Sequence, residues 1–219
     1  MSDDQAMRLI VIGPPASGKG TQARRLAKAL GLQYLSTGAL LREHMAKGSA
    51  IGAMAKPILD RGGYLPDHCM CEMVGEWLEQ AGKAWILDGF PRSLKQSEFL
   101  DQWLQERSQQ LDAAICLEAP VERLEQRIAG RVECPSCRWS GGVGELRGAA
   151  CPECGENAES REDDSLENFL SRHQAFLDSA SPLVERYRQR GVLCACDATG
   201  PRDEVTDQLL AQLGSRSPS

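Results

Sequence analysis

Residues Met7–Thr21 read MRLIVIGPPASGKGT, and this stretch decides the fold. Met7–Ile12 is a short apolar run rich in β-formers, the composition of a strand buried on both faces of a parallel sheet. It breaks at Gly13-Pro14-Pro15, and Thr21–Leu30 (TQARRLAKAL) then shows helical spacing up to a stop at Gly31. Between them lies Gly13–Thr21, GPPASGKGT. Glycines let successive backbone N–H groups turn inward, and a helix N-terminus adds partial positive charge, so the segment suits phosphate. Lys19 can then reach the outer phosphates of a bound nucleotide. The general pattern places Ser or Thr directly after the lysine, but here Gly20 intervenes and the hydroxyl comes at Thr21. The plain alternative is a glycine-rich turn without a ligand. The strand–loop–helix setting is the context that argues against it.

Outward from this loop the rhythm repeats. Trp85–Leu87 ends at Asp88, Ala113–Leu117 ends near Pro120, and Val192–Cys196 ends near Asp197, with helical spacing between. Strand and helix in alternation predict an α/β fold, a P-loop NTPase-type parallel sheet of about five strands covered on both faces. Right-handed crossovers follow from strand twist. Two segments interrupt the alternation. Thr37–Leu65 reads as helices without an intervening strand, punctuated by Gly38, Gly48, Gly52, Gly62 and Gly63. Gly130–Ser160 is poor in aliphatics and rich in Gly and Cys. The expected division is therefore a core of residues 1–35, 66–129 and 161–214, an insertion at 36–65, a second at 130–160, and a disordered tail at 215–219.

The bulk properties fit one sizeable core with small inserted lobes in a chain of 219 residues. A formal charge of −6 argues against a nucleic-acid binder, which would carry a basic face. The apolar stretch near the N-terminus is too short for a signal-peptide core, and no stretch reaches membrane-spanning length. Nine cysteines without a secretory signal point to thiols and metal rather than disulfides, in a cytoplasmic protein. No long apolar seam is left over, so a monomer is expected.

The Gly-Lys-Gly-Thr ending of the loop resembles that of the adenylate kinases, a family of nucleoside monophosphate kinases. Ser36-Thr37-Gly38 with Leu41-Arg42 resembles that family's monophosphate-binding motif, and Leu87–Arg92 (LDGFPR) with Gln96 its most specific one. Arg127–Arg131 (RIAGR) resembles the hinge into a lid, and Arg161–Asp164 with Arg172 the hinge out. The likeness runs from Met7 to about Leu213 in the family's order. It implies reversible transfer of a phosphoryl group from Mg-ATP to AMP, giving two ADP. The insertion at 36–65 would bind the monophosphate, and the one at 130–160 would be the lid.

Such a reaction needs two nucleotides in line, water excluded and charge offset, and little covalent help from protein. Lys19 with Arg92, Arg127, Arg131, Arg161 and Arg172 are the candidates for that task, since planar guanidinium forks match phosphate oxygens. Arg127 and Arg131 are spaced to share one face of a helix. Arg161 and Arg172 would share a face if a single helix ran through both. Arg92 follows a strand end, where ligands collect in open parallel sheets. Asp88 closes a strand, the usual place for a carboxylate that holds Mg²⁺. The resemblance assigns the ATP side to Gly13, Ser17, Gly18, Lys19, Gly20, Thr21, Arg127 and Gly200. It assigns the AMP side to Thr37, Gly38, Arg42, Leu65, Gly89, Arg92, Gln96, Arg161 and Arg172. UMP/CMP kinases typically carry alanine at the position of Thr37, so Thr37 favours AMP. Two positions depart from most relatives, Ala39 where they have Asp and Gly63 where many have Lys.

Cys134-Pro135-Ser136-Cys137 and Cys151-Pro152-Glu153-Cys154 are paired Cys-x-x-Cys knuckles with thirteen residues between them. Four thiolates at this spacing make a closed tetrahedral Zn²⁺ site, structural because no coordination position stays open. The intervening loop must be tight, and Gly141, Gly142 and Gly144 make that feasible. Two redox dithiols or plain buried thiols are the alternatives. Some bacterial adenylate kinases have a zinc-bearing lid at this place. Cys69, Cys71, Cys116, Cys194 and Cys196 read as core or idle thiols, the last two sharing one strand face. A kinase using another monophosphate, or GTP as donor, is the neighbouring reading. A zinc-ribbon nucleic-acid-binding NTPase would want a basic ribbon, whereas Arg138 and Arg147 face Glu133, Glu145, Glu153, Glu156 and Glu159 here.

Overall fold

The structure is a computed structural model describing residues 6–61, 63–160 and 164–215. Its centre is a five-stranded parallel sheet in the order β2-β3-β1-β4-β7, from β1 (Arg8–Ile12), β2 (Gln33–Ser36), β3 (Trp85–Asp88), β4 (Ala113–Glu118) and β7 (Leu193–Asp197). β1 lies in the middle, with Ile10 opposite Leu87 on one side and Ala114 on the other. The strands connect through α1 (Lys19–Leu30), α2 (Thr37–Ala46), α3 (Ala50–Leu59), α4 (Asp67–Leu78), α5 (Leu94–Glu106), α6 (Val121–Ala129) and α7 (Leu166–Gln189), and α8 (Arg202–Gly214) follows the last strand.

β1 is apolar after Arg8, yet alternate residues serve two different cores, as the two-residue strand period requires. Ile10 and Ile12 join Leu87 and Trp85 beneath α4, α5 and α7, where Met73, Val74, Leu100, Trp103, Leu183 and Tyr187 close the layer. Leu9 and Val11 join Ile86, Ile115 and Leu117 on the other face, sealed by Ala23 and Leu26 of α1 and by Val205 and Leu209 of α8. Cys194 and Cys196 point into this second layer, as their alternation predicts, and Cys69 and Cys116 are buried too.

Several helices start where a serine side chain satisfies an otherwise unpaired N–H. Ser36 caps α2 through the Ala39 N–H, Ser93 caps α5 through the Gln96 N–H, and Ser165 caps α7 through the Asn168 N–H. These caps matter to the site, because Ser36 and Ser93 follow or flank strand ends. β2 is the fifth strand, and the apolar-run reading does not find it: QYLS is four residues long and its Gln33 is exposed.

Residues 130–160 are carried away from the sheet. β5 (Arg131–Glu133) pairs antiparallel with β6 (Ser140–Gly142), and the segment's core is Val132, Cys134, Trp139 and Cys151 alone. Half of that core is cysteine. Two expectations about helix faces are corrected. α6 ends at Ala129, so Arg131 belongs to β5 and does not share a helix face with Arg127. α7 begins at Leu166, so no single helix runs through positions 161 and 172. Arg161, Gly62 and residues 216–219 lie outside the described residues. No helix among the described residues is long and apolar enough to cross a membrane.

Candidate active site

The parallel strands all end on one edge of the sheet, where ligands bind in open α/β folds. A single cleft of about 1440 Å³ opens there. It is lined by the loop residues Gly13, Ser17, Gly18, Lys19, Gly20 and Thr21, by Thr37, Gly38, Arg42 and Leu65, by Asp88, Gly89, Arg92 and Gln96, and by Arg127, Arg131, Arg172 and Gly200. Every described residue that the sequence nominated for nucleotide binding is thus on one surface.

The loop after β1 is tight for reasons its residues supply. A Cβ on Gly13 would lie 2.8 Å from Ser17 Oγ and 2.9 Å from the Leu117 carbonyl oxygen. Gly18 adopts φ +92°, a conformation side chains rarely take, and leads straight into α1. Lys19 Nζ donates to the Pro14 carbonyl at 2.6 Å, folding the side chain back over the loop. Burial pushes the Lys19 ammonium down to about 7; Asp88 draws it back up, while Arg92 and Arg131 press it further down. Lys19 thus holds its full charge most readily beside an anion.

Asp88 at the end of β3 is buried, and the Tyr34 hydroxyl donates to its Oδ2 at 3.1 Å. Burial, then the Asp88 charge, raise the Tyr34 hydroxyl well above its ordinary range, so it stays a donor. Tyr34 lies on β2, the strand the sequence reading did not resolve. Beyond Asp88 the chain turns at Gly89, φ +83°, where a Cβ would lie 2.7 Å from both Thr37 Oγ1 and Arg92 Nη2. Thr37 is fully buried and its hydroxyl is 3.1 Å from the Gly89 carbonyl and 3.2 Å from that of Asp88. Arg92 donates Nε to the Gly89 carbonyl at 2.7 Å and lies 4.5 Å above the Tyr64 ring. Gln96 accepts from the Arg92 backbone N–H and donates to Asp67 Oδ1, each at 2.7 Å. That leaves one lone pair and one N–H of its amide for a ligand.

On the opposite wall, Arg127 donates to the Ala198 carbonyl at 2.5 Å, and burial lowers its pKa. Arg131 forms a two-point pair with Asp164, with Nε to Oδ2 at 2.6 Å. Arg42 reaches Glu133 of β5 at 3.5 Å, joining the 36–65 segment to the 130–160 segment across the cleft mouth. The sequence reading gave no role to Tyr34 or Tyr64 and placed Asp164 only in the hinge motif, though each orients a nominated residue.

The four cysteine sulfurs of residues 134–154 lie within 4.8 Å of one another, with Cys134–Cys154 and Cys137–Cys151 at 3.5 Å. A tetrahedral zinc with Zn–S near 2.3 Å separates its sulfurs by about 3.8 Å, so the cluster has the dimensions of a closed structural site. The Cys137 backbone N–H turned toward its sulfur lowers Cys134 to about 7, while burial raises Cys137 to about 12, so the cluster holds its protons unevenly.

Sheet order, phosphate loop and arginine-lined cleft together define the P-loop class of nucleotide-handling α/β proteins. Comparison with known proteins narrows the class. The family model described as "Adenylate kinase" matches residues 11–192. Proteins named adenylate kinase are similar over nearly the whole length: 38% identity with one from Thermodesulfovibrio yellowstonii, covering 94% of this chain and 99% of that one. One from Archaeoglobus fulgidus is 38% identical over 94% and 98%, and one from Vanderwaltozyma polyspora 39% identical over 97% and 98%. The chain belongs to the adenylate kinase family, and is accordingly a phosphotransferase with a four-cysteine lid segment.

Proposed function

We propose that the chain transfers the γ-phosphoryl group of ATP to AMP, reversibly, between two nucleotides held in the one cleft. The observation that carries this reading is that the lysine-bearing loop, Asp88 and the arginines Arg42 and Arg92 line one cleft, since a transfer in line needs a donor site and an acceptor site facing each other. The loop Gly13–Thr21 would hold the donor phosphates on its N–H groups, with Lys19 moving from the Pro14 carbonyl onto them. Arg127 and Gly200 would flank the donor base.

Arg42 and Arg92 would grip the acceptor phosphate, with Arg92 pre-oriented by the Gly89 carbonyl and the Tyr64 ring. Thr37, Gly38, Leu65, Gly89 and Gln96 would receive its base. The acceptor phosphate oxygen is itself a competent nucleophile, so no general base is required. Arg131 and Arg172, with Arg161, would offset the charge that spreads over the migrating group. Asp88, buried and oriented by Tyr34, fits a carboxylate that would hold Mg²⁺. When bound with ATP the ion supplies neutralisation of the phosphate oxygens. Residues 36–65 would act as the acceptor arm and residues 130–160 as the lid, the four cysteines holding a structural Zn²⁺.

The test is coupled detection of ADP with each nucleoside monophosphate offered against ATP. AMP should be the preferred acceptor. Lys19→Ala or Arg92→Ala should lower turnover by on the order of 10²-fold, since each removes a charge from the transferring or accepting phosphate. Near-normal turnover in either variant overturns the reading.

A further inference from the structure

Arg202 is the first residue of α8, directly after Pro201, and no part of the transfer chemistry above uses it. Its guanidinium leaves the core and reaches the 130–160 segment. Nη2 donates to Glu145 Oε1 at 2.7 Å, and the guanidinium carbon lies 5.6 Å from the Trp139 ring centroid. The grip is arranged from both sides. Glu145 Oε1 also accepts from the Gly142 backbone N–H at 2.7 Å, which fixes the carboxylate. Gly141 leaves the space: a Cβ there would lie 2.8 Å from Arg202 Nη2 and 2.3 Å from the Trp139 ring.

The core end of the link is equally fixed. The Arg202 carbonyl accepts from Gln22 Nε2 at 3.1 Å and from the Thr206 hydroxyl at 2.8 Å. Gln22 belongs to α1, the helix that opens at the phosphate loop. A chain of contacts thus runs from that helix, through the start of α8, into the lid. Arg202 and Glu145 line the rim of the cleft, and their clasp needs no phosphate, so it can hold the lid down over the donor side whether or not phosphate is bound.

We propose that Arg202 is a positioning residue, a latch that clasps Glu145 and Trp139 and favours the lid-closed arrangement over the donor site. This rests on the phosphoryl-transfer reading, and it adds a determinant of donor affinity. A charged pair that is about a third to a half exposed is individually weak, and a cation over an indole adds a comparable amount. Their loss shifts the lid equilibrium by a modest factor. Donor affinity falls by the same factor, because apparent affinity scales with the population able to bind. Where lid opening limits product release, turnover does not fall.

The experiment is a double-mutant cycle on the full, metal-bound chain with Arg202→Met, Glu145→Gln and the pair together. Its readouts are the calorimetric Kd for ATP alone, the KM for each nucleotide, and the thermal midpoint. Arg202→Met should weaken ATP binding about three- to tenfold, and Glu145→Gln, which leaves the Trp139 contact, about two- to fivefold. KM for AMP should be unchanged and kcat unchanged or raised. The double variant should be no weaker than the weaker single one. A charge swap, Arg202→Glu with Glu145→Arg, should recover part of the ATP affinity. Additive losses, or unchanged ATP affinity in both singles, overturn the latch. So does a fall in kcat at constant ATP affinity. Absence of ADP formation in the parent chain would instead defeat the transfer reading, while the ATP-binding arm still decides the latch.

Discussion

Gly20 stands so close to Asp88 that a Cβ built on it would lie 3.1 Å from the Asp88 Oδ2 carboxylate oxygen and 3.6 Å from the Tyr34 hydroxyl. This explains why the loop departs from the general pattern of a hydroxyl residue directly after the lysine. In this chain that position faces the carboxylate at the end of β3, and the hydroxyl moves one place on, to Thr21.

Gly20→Ala separates the two demands on the position. Gly20 lies in α1, where alanine is favoured over glycine by roughly 0.5–1 kcal/mol, so the thermal midpoint should hold or rise. The added methyl displaces the Asp88 carboxylate by a few tenths of an ångström. Turnover with Mg-ATP should fall several-fold to about tenfold, because misplacement on that scale is costly in positioned transfer. Thermal denaturation and steady-state rates on one preparation check both. A lowered midpoint with full turnover would contradict this account.

Lys19 predicts a pH signature. The ammonium sits at about 7 in the ligand-free cleft, chiefly through burial, against an ordinary 10.5. Between those values the folded chain binds fewer protons than the unfolded one, so stability of the ligand-free protein should rise with pH across that window. Below about 7 the lysine is charged in both states and the folded chain bears the full cost of burying it. A bound triphosphate favours the charged form. At pH 8, ATP binding should therefore take up on the order of one proton, and affinity should weaken as pH climbs from 7. Calorimetric titration in buffers of different ionisation enthalpy reads the proton directly, and Lys19→Met should abolish the uptake.

The legible parts of the molecule were those whose signal is local. Met7–Thr21 announces strand, loop and helix within fifteen residues, and strand ends mark Asp88 and Arg92 because the apolar run stops there. β2 escaped because an edge strand of four residues with an exposed Gln33 carries no apolar run. The orienting partners escaped because they act across the chain. Tyr34 meets Asp88, Tyr64 lies under Arg92, and Asp164 pairs with Arg131, all through tertiary packing that spacing does not encode. The shared-face reading of Arg127 and Arg131 failed for a local reason: α6 stops at Ala129, and Gly130 turns the chain into β5. Convergence on one cleft came from topology instead.

Thr37 should set acceptor choice. Its hydroxyl is fully buried against the Asp88 and Gly89 carbonyls, at the start of α2. AMP should be preferred over CMP and UMP by at least about tenfold in kcat/KM, the scale of one or two buried hydrogen bonds. Thr37→Ala should narrow that preference several-fold, chiefly through KM for AMP, and leave KM for ATP in place. Equal use of CMP by the parent chain would assign it a different acceptor.

The cysteine cluster links sequence to stability and then to motion. Among the described residues of the 130–160 segment, the buried core is Val132, Trp139, Cys134 and Cys151, too little apolar mass to fold a lobe unaided. Metal binding would then supply the folding free energy, as in small zinc domains. The protein should carry about one Zn²⁺ per chain, held by Cys134, Cys137, Cys151 and Cys154. Cys151→Ser should release it and lower the thermal midpoint by several degrees. The phosphate loop lies on the core, so ATP should still bind, though less tightly once the lid no longer presents Trp139 and Glu145 to Arg202. Turnover should drop without vanishing, because a lid that closes less often admits water and positions Arg131 less often. Metal analysis and denaturation of parent and variant decide the matter. A metal-free chain with an unchanged midpoint would show that the four cysteines do not form a structural site.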